Sequence, residues 1–205
     1  MKHGLRAAGL VAGLSFAIAV YAFGAALEGY RQALLPVALL GGDAVPRALY
    51  FNLTAFVVPG AIAIWIATTL RGVLPGDTRW SARIGARLVM FAAMAFAAQG
   101  LLPLDPADLE APSTRLHATA WTLWWIAFMP GAALLAVGLR GRAGSRRLAS
   151  VSMIASLMVL LFAASPWQWL PSGATQRMAY AAWFGWLIAC GATVDALRPA
   201  IRDAA

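Results

Sequence analysis

The chain has 205 residues, of which 61% are hydrophobic and only 12% are charged, and its mean hydropathy is +0.73. Soluble domains carry about 25% charged residues, so this composition excludes an ordinary soluble domain and predicts an integral membrane protein. The net charge of +8 does not indicate nucleic-acid binding, because the arginines lie at the ends of apolar segments, where they set membrane topology.

Six segments, taken in chain order, have the roughly 20 mostly apolar residues that a membrane helix needs. The first begins with basic residues and ends in small ones, as a signal peptide does, but its apolar run exceeds the 7–15 residues or so of such peptides. We therefore expect it to be retained. The predicted fold is an all-α bundle of six transmembrane helices forming a single domain over 1–205, with spans at about 5–27, 50–70, 84–102, 116–139, 148–164 and 178–197.

The positions of the basic residues predict the orientation. Twelve of the 16 Lys and Arg residues lie in the amino terminus, the loops after the second and fourth spans, and the carboxyl tail. Because basic residues concentrate on the cytoplasmic side of a membrane, both termini are predicted to be cytoplasmic, in a bacterial inner membrane. The opposite, outward side carries acidic residues, among them Asp105, Asp108 and Glu110.

Several loops and spans have features of their own. The apolar run 33–40 is too short to cross a membrane, so we expect it to lie at the interface or to fold back among the helices. Pro59 and Pro130 fall near the middle of two spans and predict kinks there. Ser113 or Thr114, after a loop with three prolines, is placed to cap the fourth helix.

The stretch 99–131 joins an acidic loop to an aromatic membrane helix. Within it, five side chains recur at i, i+4, i+7, i+8 and i+11 and so share one helical face. The stripe either lines a pocket for an amphiphile or packs against another helix. It consists of His117, Trp121, Trp124, Trp125 and Phe128.

His117 and Asp105 are the candidates for acid–base chemistry, because a carboxylate can orient an imidazole and raise its pKa. No serine or other nucleophile is visibly paired with them. The alternative is a histidine at a helix start that is satisfied by a loop carboxylate or a lipid headgroup. The first interpretation makes the protein a membrane-embedded hydrolase or transferase, and the second makes it a binding protein.

Further polar residues flank this stretch at the outward ends of the spans. They form either one polar cap over the bundle or several separate headgroup contacts. The additional candidates for ligand binding are Gln99, Arg115, Asn52, Gln176 and Arg177. Because unpaired burial of charge is costly, we expect four side chains to converge and partly neutralise one another: Asp105, Arg115, His117 and Arg177.

The chain has no Asp, Glu, Lys or Arg in the central turns of the predicted spans, which argues against proton relays, voltage sensors and ion-coupled carriers. Its two histidines, His3 and His117, are predicted on opposite sides of the membrane, which disfavours a haem held between them. One outward histidine without an outward cysteine makes a zinc site improbable. We therefore predict no metal and no cofactor, and a packing role for Cys190.

Two seams of small residues provide close-packing faces. Gly9, Gly13 and Ala17 form one in the first span, and Ala181, Gly185 and Ala189 form another in the sixth. These seams suggest a third functional class, an accessory subunit or homo-oligomer. The predicted partners are membrane lipids and another membrane chain, and no nucleic acid.

The whole chain resembles a bacterial polytopic membrane family catalogued as domain of unknown function 998. The resemblance rests on Leu35–Gly41, Phe51-Asn52, Phe56–Gly60, Gly100–Pro106, Leu116-His117 and Gln176-Arg177. It implies the six-helix layout and draws attention to Asp105, His117, Gln176 and Arg177, but the family has no known reaction. Many members have Ser-Glu-Leu-Gly where this chain has Ala38-Leu39-Leu40-Gly41, which removes a polar group from the first outward loop.

Overall fold

The computed structural model describes residues 4–142, 144–164 and 170–202. Within these ranges, side chains are described up to residue 194. His3 therefore lies outside the described residues. All regular elements within these ranges are helical. The six long helices are α1 Gly4–Ala26, α2 Ala48–Val73, α3 Trp80–Leu101, α4 Pro112–Leu139, α5 Arg146–Ala163 and α6 Ser172–Arg202.

Five of these helices, α1 to α5, are long and apolar enough to cross a membrane, as judged over the residues that the structure describes. The predicted α-helical membrane protein is confirmed to that extent. α6 is not among the five. The sixth span and the location of the termini stay predictions.

α4 begins earlier than the predicted span, at Pro112. The fixed φ of proline suits the first position of a helix, and Ala111 precedes it without any side-chain cap. The prediction that Ser113 or Thr114 caps this helix was wrong. The Thr114 hydroxyl instead donates to the Asp108 carbonyl at 3.0 Å and accepts from the Asp105 N–H at 2.9 Å, so it holds the preceding loop together.

The helices form a closed ring in chain order, in which each helix packs on the next and α6 returns to α1 and also touches α2. The most extensive contact joins α3 to α4. Glycines allow these two helices to approach closely, since a Cβ at Gly85 would lie 2.6 Å from the Gly131 carbonyl oxygen.

The bundle has two distinct ends. The loops 27–47 and 102–111, together with residues 170–171, lie at one end, where the Asp43 N–H donates to the Leu104 carbonyl at 2.7 Å; we call it the His117 end. The loop 74–79 and residues 140–142 and 144–145 lie at the other end, joined by an Arg142–Asp77 ion pair at 3.0 Å; we call it the Arg140 end.

The apolar run 33–40 folds back among the helices. Its second half forms a 3-10 helix, Val37–Gly41, in which Val37 and Leu40 are almost completely buried. Of the two expected placements, the structure therefore shows the inward one.

The two intrahelical prolines are accommodated differently. In α2 the five residues Leu53–Val57, just before Pro59, are π-helical, and such a widened turn is a known way to absorb a proline that cannot donate to the preceding turn. α4 continues as an α-helix through Pro130. There the Ser156 hydroxyl of α5 donates to the adjacent Met129 carbonyl at 2.7 Å, which ties the two helices together.

Candidate functional site

His117 is 7% exposed, and its Nδ1 lies 2.8 Å from the Leu102 carbonyl oxygen. A carbonyl can only accept, so Nδ1 carries a proton and donates it. Leu102 directly follows α3, where the last carbonyl groups lack partners within the helix. The imidazole therefore satisfies the end of α3 and links it to the first turns of α4.

Asp105 is not hydrogen-bonded to His117, so the predicted pair does not form. One Asp105 carboxylate oxygen accepts the Ala107 N–H at 2.9 Å, which closes a turn within its own loop. The Asp105 carboxylate is thus hydrogen-bonded to the backbone of its own loop, and the His117 imidazole is hydrogen-bonded to the end of α3. The described residues also contain no group of three or more His, Cys, Asp or Glu that is placed to hold a metal ion.

Gln99 and Tyr180 form a buried polar pair beside His117. The Tyr180 hydroxyl of α6 donates to the Gln99 side-chain oxygen of α3 at 2.8 Å, and both side chains are at most 1% exposed. Three buried N–H groups around this pair, in Gln99, Trp124 and Trp183, have no acceptor. An unsatisfied buried donor costs about 1–3 kcal/mol, so this part of the core is polar at a cost to stability.

The aromatic stripe of α4 is mainly core. Trp124 and Phe128 are fully buried. Their ring centroids lie 5.0 Å from Tyr180 and 4.8 Å from Trp183, respectively, both on α6. Of the two alternatives for the stripe, helix packing is therefore correct for these residues, whereas Trp121 and Trp125 are only partly buried.

Sequence reasoning missed the α6 aromatic residues that fill this space. Tyr180, Trp183 and Leu187 recur at i, i+3 and i+7, which is the spacing of a buried helical face. That spacing was available in the sequence and predicts that α6 packs against the α4 stripe.

Arg177 holds the loop 27–47 against α6. Its guanidinium donates to the Tyr30 hydroxyl at 2.8 Å, to the Gln32 side-chain oxygen at 2.7 Å and to the Gly173 and Leu35 carbonyls at 2.8 and 3.1 Å. Burial raises the pKa of the Tyr30 hydroxyl above its ordinary value, against the opposite effect of Arg177, so this hydroxyl remains protonated. The Arg177 cation therefore has four neutral oxygen acceptors, and through them it holds the loop.

Gln176 and Asn52 hold the same loop from two sides. The Gln176 side-chain oxygen accepts the Val37 N–H at 2.7 Å, and the Asn52 amide donates to the Gly41 carbonyl at 2.9 Å. These are the two ends of the buried 3-10 helix. Of the predicted ligand-binding residues, Asn52, Gln176 and Arg177 therefore form one cluster that positions the loop.

Arg115 belongs to neither cluster. It pairs with Glu110 at 2.6 Å, and the two side chains are 68% and 82% exposed. Arg115, His117 and Arg177 each have separate partners, and Asp105 bonds within its loop. No hydrogen bond or ion pair joins any two of these four side chains, because Arg115 pairs with Glu110 and the other three bond to backbone or loop groups. Their expected convergence and mutual neutralisation stays a prediction.

A recess of about 230 Å³ opens beside Trp121 at the His117 end. Trp121 and Phe162 give it aromatic walls, while Ser172, Thr175 and Gln176 give it polar groups. A second recess of about 360 Å³ lies at the same end. Apolar residues of α1 and the following loop, among them Phe23, line most of it, and Arg47 is its one charged lining residue among the described residues. Of the predicted ligand-binding residues, Trp121 and Gln176 share the first recess.

No family model matches the chain, and no curated protein or solved structure matches it. The resemblance to domain of unknown function 998 therefore stays a prediction, and the function has to be argued from the geometry.

Proposed function

We propose that the chain is a six-span bacterial inner-membrane protein with both termini in the cytoplasm, and that it binds a lipid or another amphiphile at the outward-facing His117 end. The orientation is supported by the twelve of 16 basic residues that follow the positive-inside pattern. Fusing a reporter that is active only in the cytoplasm to each terminus tests it. An inactive carboxyl-terminal fusion would contradict the count of six spans.

The recess beside Trp121 carries the proposed binding function. Its aromatic walls suit an acyl segment, and the side chains of Ser172, Thr175 and Gln176 suit a polar head or ester group. At about 230 Å³ it is smaller than the 300–1,000 Å³ or so of pockets that enclose a drug-sized ligand. It therefore accommodates one end of an amphiphile, with the remainder along the lipid-facing surface.

The binding function is tested by comparing two tryptophan variants of the purified protein. Trp121→Ala removes a recess wall, whereas Trp65→Ala removes a tryptophan of α2 that is 51% exposed and does not line the recess. We expect mass spectrometry to show less co-purifying amphiphile for Trp121→Ala and an unchanged amount for Trp65→Ala. Equal retention by the two variants would contradict the proposed site.

The enzyme alternative, a hydrolase or transferase that uses His117 and Asp105, is tested by His117→Gln. Loss of proton transfer by a general acid or base lowers a rate by about 10²–10⁴. A residue that only bonds a carbonyl loses about 0.5–1.5 kcal/mol of stability, and the bond to Leu102 favours the second outcome. Loss of cellular function in His117→Gln with normal folding and normal amphiphile content would favour the enzyme.

One observation favours the accessory-subunit alternative. The α1 seam is used inside the bundle, since a Cβ at Gly9 would lie 3.0 Å from the Ile188 Cα. On α6, by contrast, Ala181 and Gly185 are exposed, and a Cβ at Gly185 would meet nothing within 4 Å. Gly185→Leu is expected to leave the bundle folded, and loss of an oligomer in that variant would identify α6 as a subunit interface.

A further inference from the structure

The turn between α4 and α5 forms a basic recess at the Arg140 end, so the length of α4 separates it from the recess beside Trp121. Its volume is about 300 Å³. Two arginines, a serine hydroxyl and apolar side chains meet there, and the lining consists of Arg140, Gly141, Arg146, Ala149, Ser150 and Met153.

The backbone of the turn brings the two arginines to one recess. Gly141 and Gly144 have φ values of +85° and +78°, which side chains with a Cβ rarely adopt. These two residues let the chain reverse within a few residues, from Arg140 just after α4 to Arg146 at the start of α5. A Cβ would find open space at both glycines, so the backbone conformation, and not crowding, requires glycine there.

Arg140 and Arg146 have no carboxylate within salt-bridge distance among the described residues, whereas Arg142 in the same turn is paired with Asp77. The amino-terminal end of α5 adds partial positive charge at the same place, because its first N–H groups have no side-chain cap. The rim of the recess is therefore positively charged. Such a rim favours a phosphate, which arginine binds through two parallel N–H bonds.

An exposed apolar track begins at the recess and runs along α5. Ser150, Ile154, Leu157 and Leu161 follow at i, i+4, i+7 and i+11, so they share one helical face with Arg146. Ile154, Leu157 and Leu161 are 59%, 53% and 38% exposed. From Ser150 to Leu161 the face extends about 16 Å at about 1.5 Å per residue, close to half of a hydrocarbon core of about 30 Å.

We propose that this recess binds the phosphate headgroup of an anionic phospholipid, with one acyl chain along the track of Ile154, Leu157 and Leu161. The charged rim accounts for the headgroup, and the continuous exposed track accounts for the chain. A basic recess at the membrane boundary between two helices is a suitable place for an acidic headgroup. The site is independent of the proposed Trp121 site at the opposite end of the bundle.

The headgroup contact is tested with the purified full-length protein and vesicles containing phosphatidylglycerol, against matched vesicles of phosphatidylcholine. Arg140→Gln combined with Arg146→Gln removes both rim charges. Arg142→Gln combined with Arg147→Gln removes one charge from the turn and one from the first turn of α5 without changing the lining. We expect the first pair to weaken retention of phosphatidylglycerol by about thirtyfold and the second pair to leave it within about threefold.

Two results would overturn the proposal. The first is equal weakening by both pairs, which would mean unspecific attraction by the charged turn. The second is displacement of phosphatidylglycerol by millimolar inorganic phosphate, which would mean a site for a free anion.

The chain contact is tested by Ile154→Ala combined with Leu157→Ala, which shortens the track and leaves the arginines in place. We expect weaker retention of phosphatidylglycerol, and lipid retention unchanged by this pair would contradict the track. Circular dichroism and size-exclusion chromatography confirm the fold of every variant. Trp121→Ala should not change retention of phosphatidylglycerol at this recess, so failure of this proposal is distinguishable from failure of the proposed function.

Discussion

The two ends of the bundle use polar side chains in opposite ways. At the His117 end, His117, Asn52 and Arg177 bond to backbone carbonyls, and together they fix a loop and a helix end. At the Arg140 end, Arg140 and Arg146 are exposed at the rim of a recess. Arginine therefore serves the fold at one end and is exposed at a recess at the other, where we propose that it binds a lipid headgroup.

The largest expected effect tests whether the α4 stripe is core. Trp124 is fully buried among the rings of Phe96, Trp121, Tyr180 and Trp183. We expect Trp124→Ala to lower the free energy of unfolding by about 3–5 kcal/mol, because it opens a large cavity. Denaturant unfolding in detergent measures this. Trp121→Ala is the control and should cost clearly less, since Trp121 is only partly buried; equal costs would mean that Trp124 is not packed as described.

The second prediction concerns the loop contact at the His117 end. Arg177→Ala removes four hydrogen bonds from a guanidinium and leaves the Gly173 and Leu35 carbonyls without that donor. We expect a loss of about 2–3 kcal/mol in the free energy of unfolding and faster proteolysis in the loop 27–47. Arg115→Ala removes an exposed ion pair instead and should cost about 0–1 kcal/mol. If the two variants are equally stable, the loop is not held by Arg177.

The sequence predicts the apolar spans but not the partners of the polar side chains. Five of the six spans predicted from length and apolar composition coincide, to within a few residues at each end, with helices that are long and apolar enough to cross a membrane. His117 and Arg177, by contrast, bond to backbone carbonyls. Every residue carries a carbonyl, so a search for complementary side chains selects Asp105 instead. Only the positions of the loop and the end of α3 reveal the actual acceptors.

The aromatic stripe of α4 shows that sequence periodicity alone cannot distinguish a pocket from a packed core. Periodicity shows that Trp121 and Trp124 lie on one face of α4, but it does not show what covers that face. α6 covers Trp124 with Tyr180 and Trp183 and leaves Trp121 at the edge of a recess. A one-helix pattern therefore predicts a face, and the packing of a second helix decides between core and pocket.

The third prediction separates two stacked tryptophans of α6 that differ in one hydrogen bond. The Trp186 N–H donates to the buried Ser152 hydroxyl at 2.9 Å, whereas the Trp183 N–H has no acceptor. Trp186→Phe and Trp183→Phe remove similar ring area. We expect Trp186→Phe to be more destabilising by about 1 kcal/mol, as measured by unfolding in detergent. The reverse order would show that the Trp183 N–H has an acceptor in solution.

The smallest expected effect lies at the Arg140 end, where Asp77 forms an exposed ion pair with Arg142. The hydrogen bond from Arg142, together with its charge, lowers the pKa of the Asp77 carboxyl below its ordinary value. A carboxyl with a lowered folded-state pKa contributes stability above its unfolded pKa, and this contribution is lost as the pH falls through the folded pKa. The contribution should thus be complete at neutral pH, begin to fall near the ordinary carboxyl pKa of about 4, and disappear only below the lowered folded-state pKa. Thermal unfolding from pH 7 to pH 3 should show a slightly smaller acid-dependent loss in Asp77→Asn than in the unsubstituted protein, and the difference should shrink at high salt. Identical pH profiles would show that this pair does not stabilise the turn, and that the α4–α5 turn is held by its glycine-dependent backbone alone.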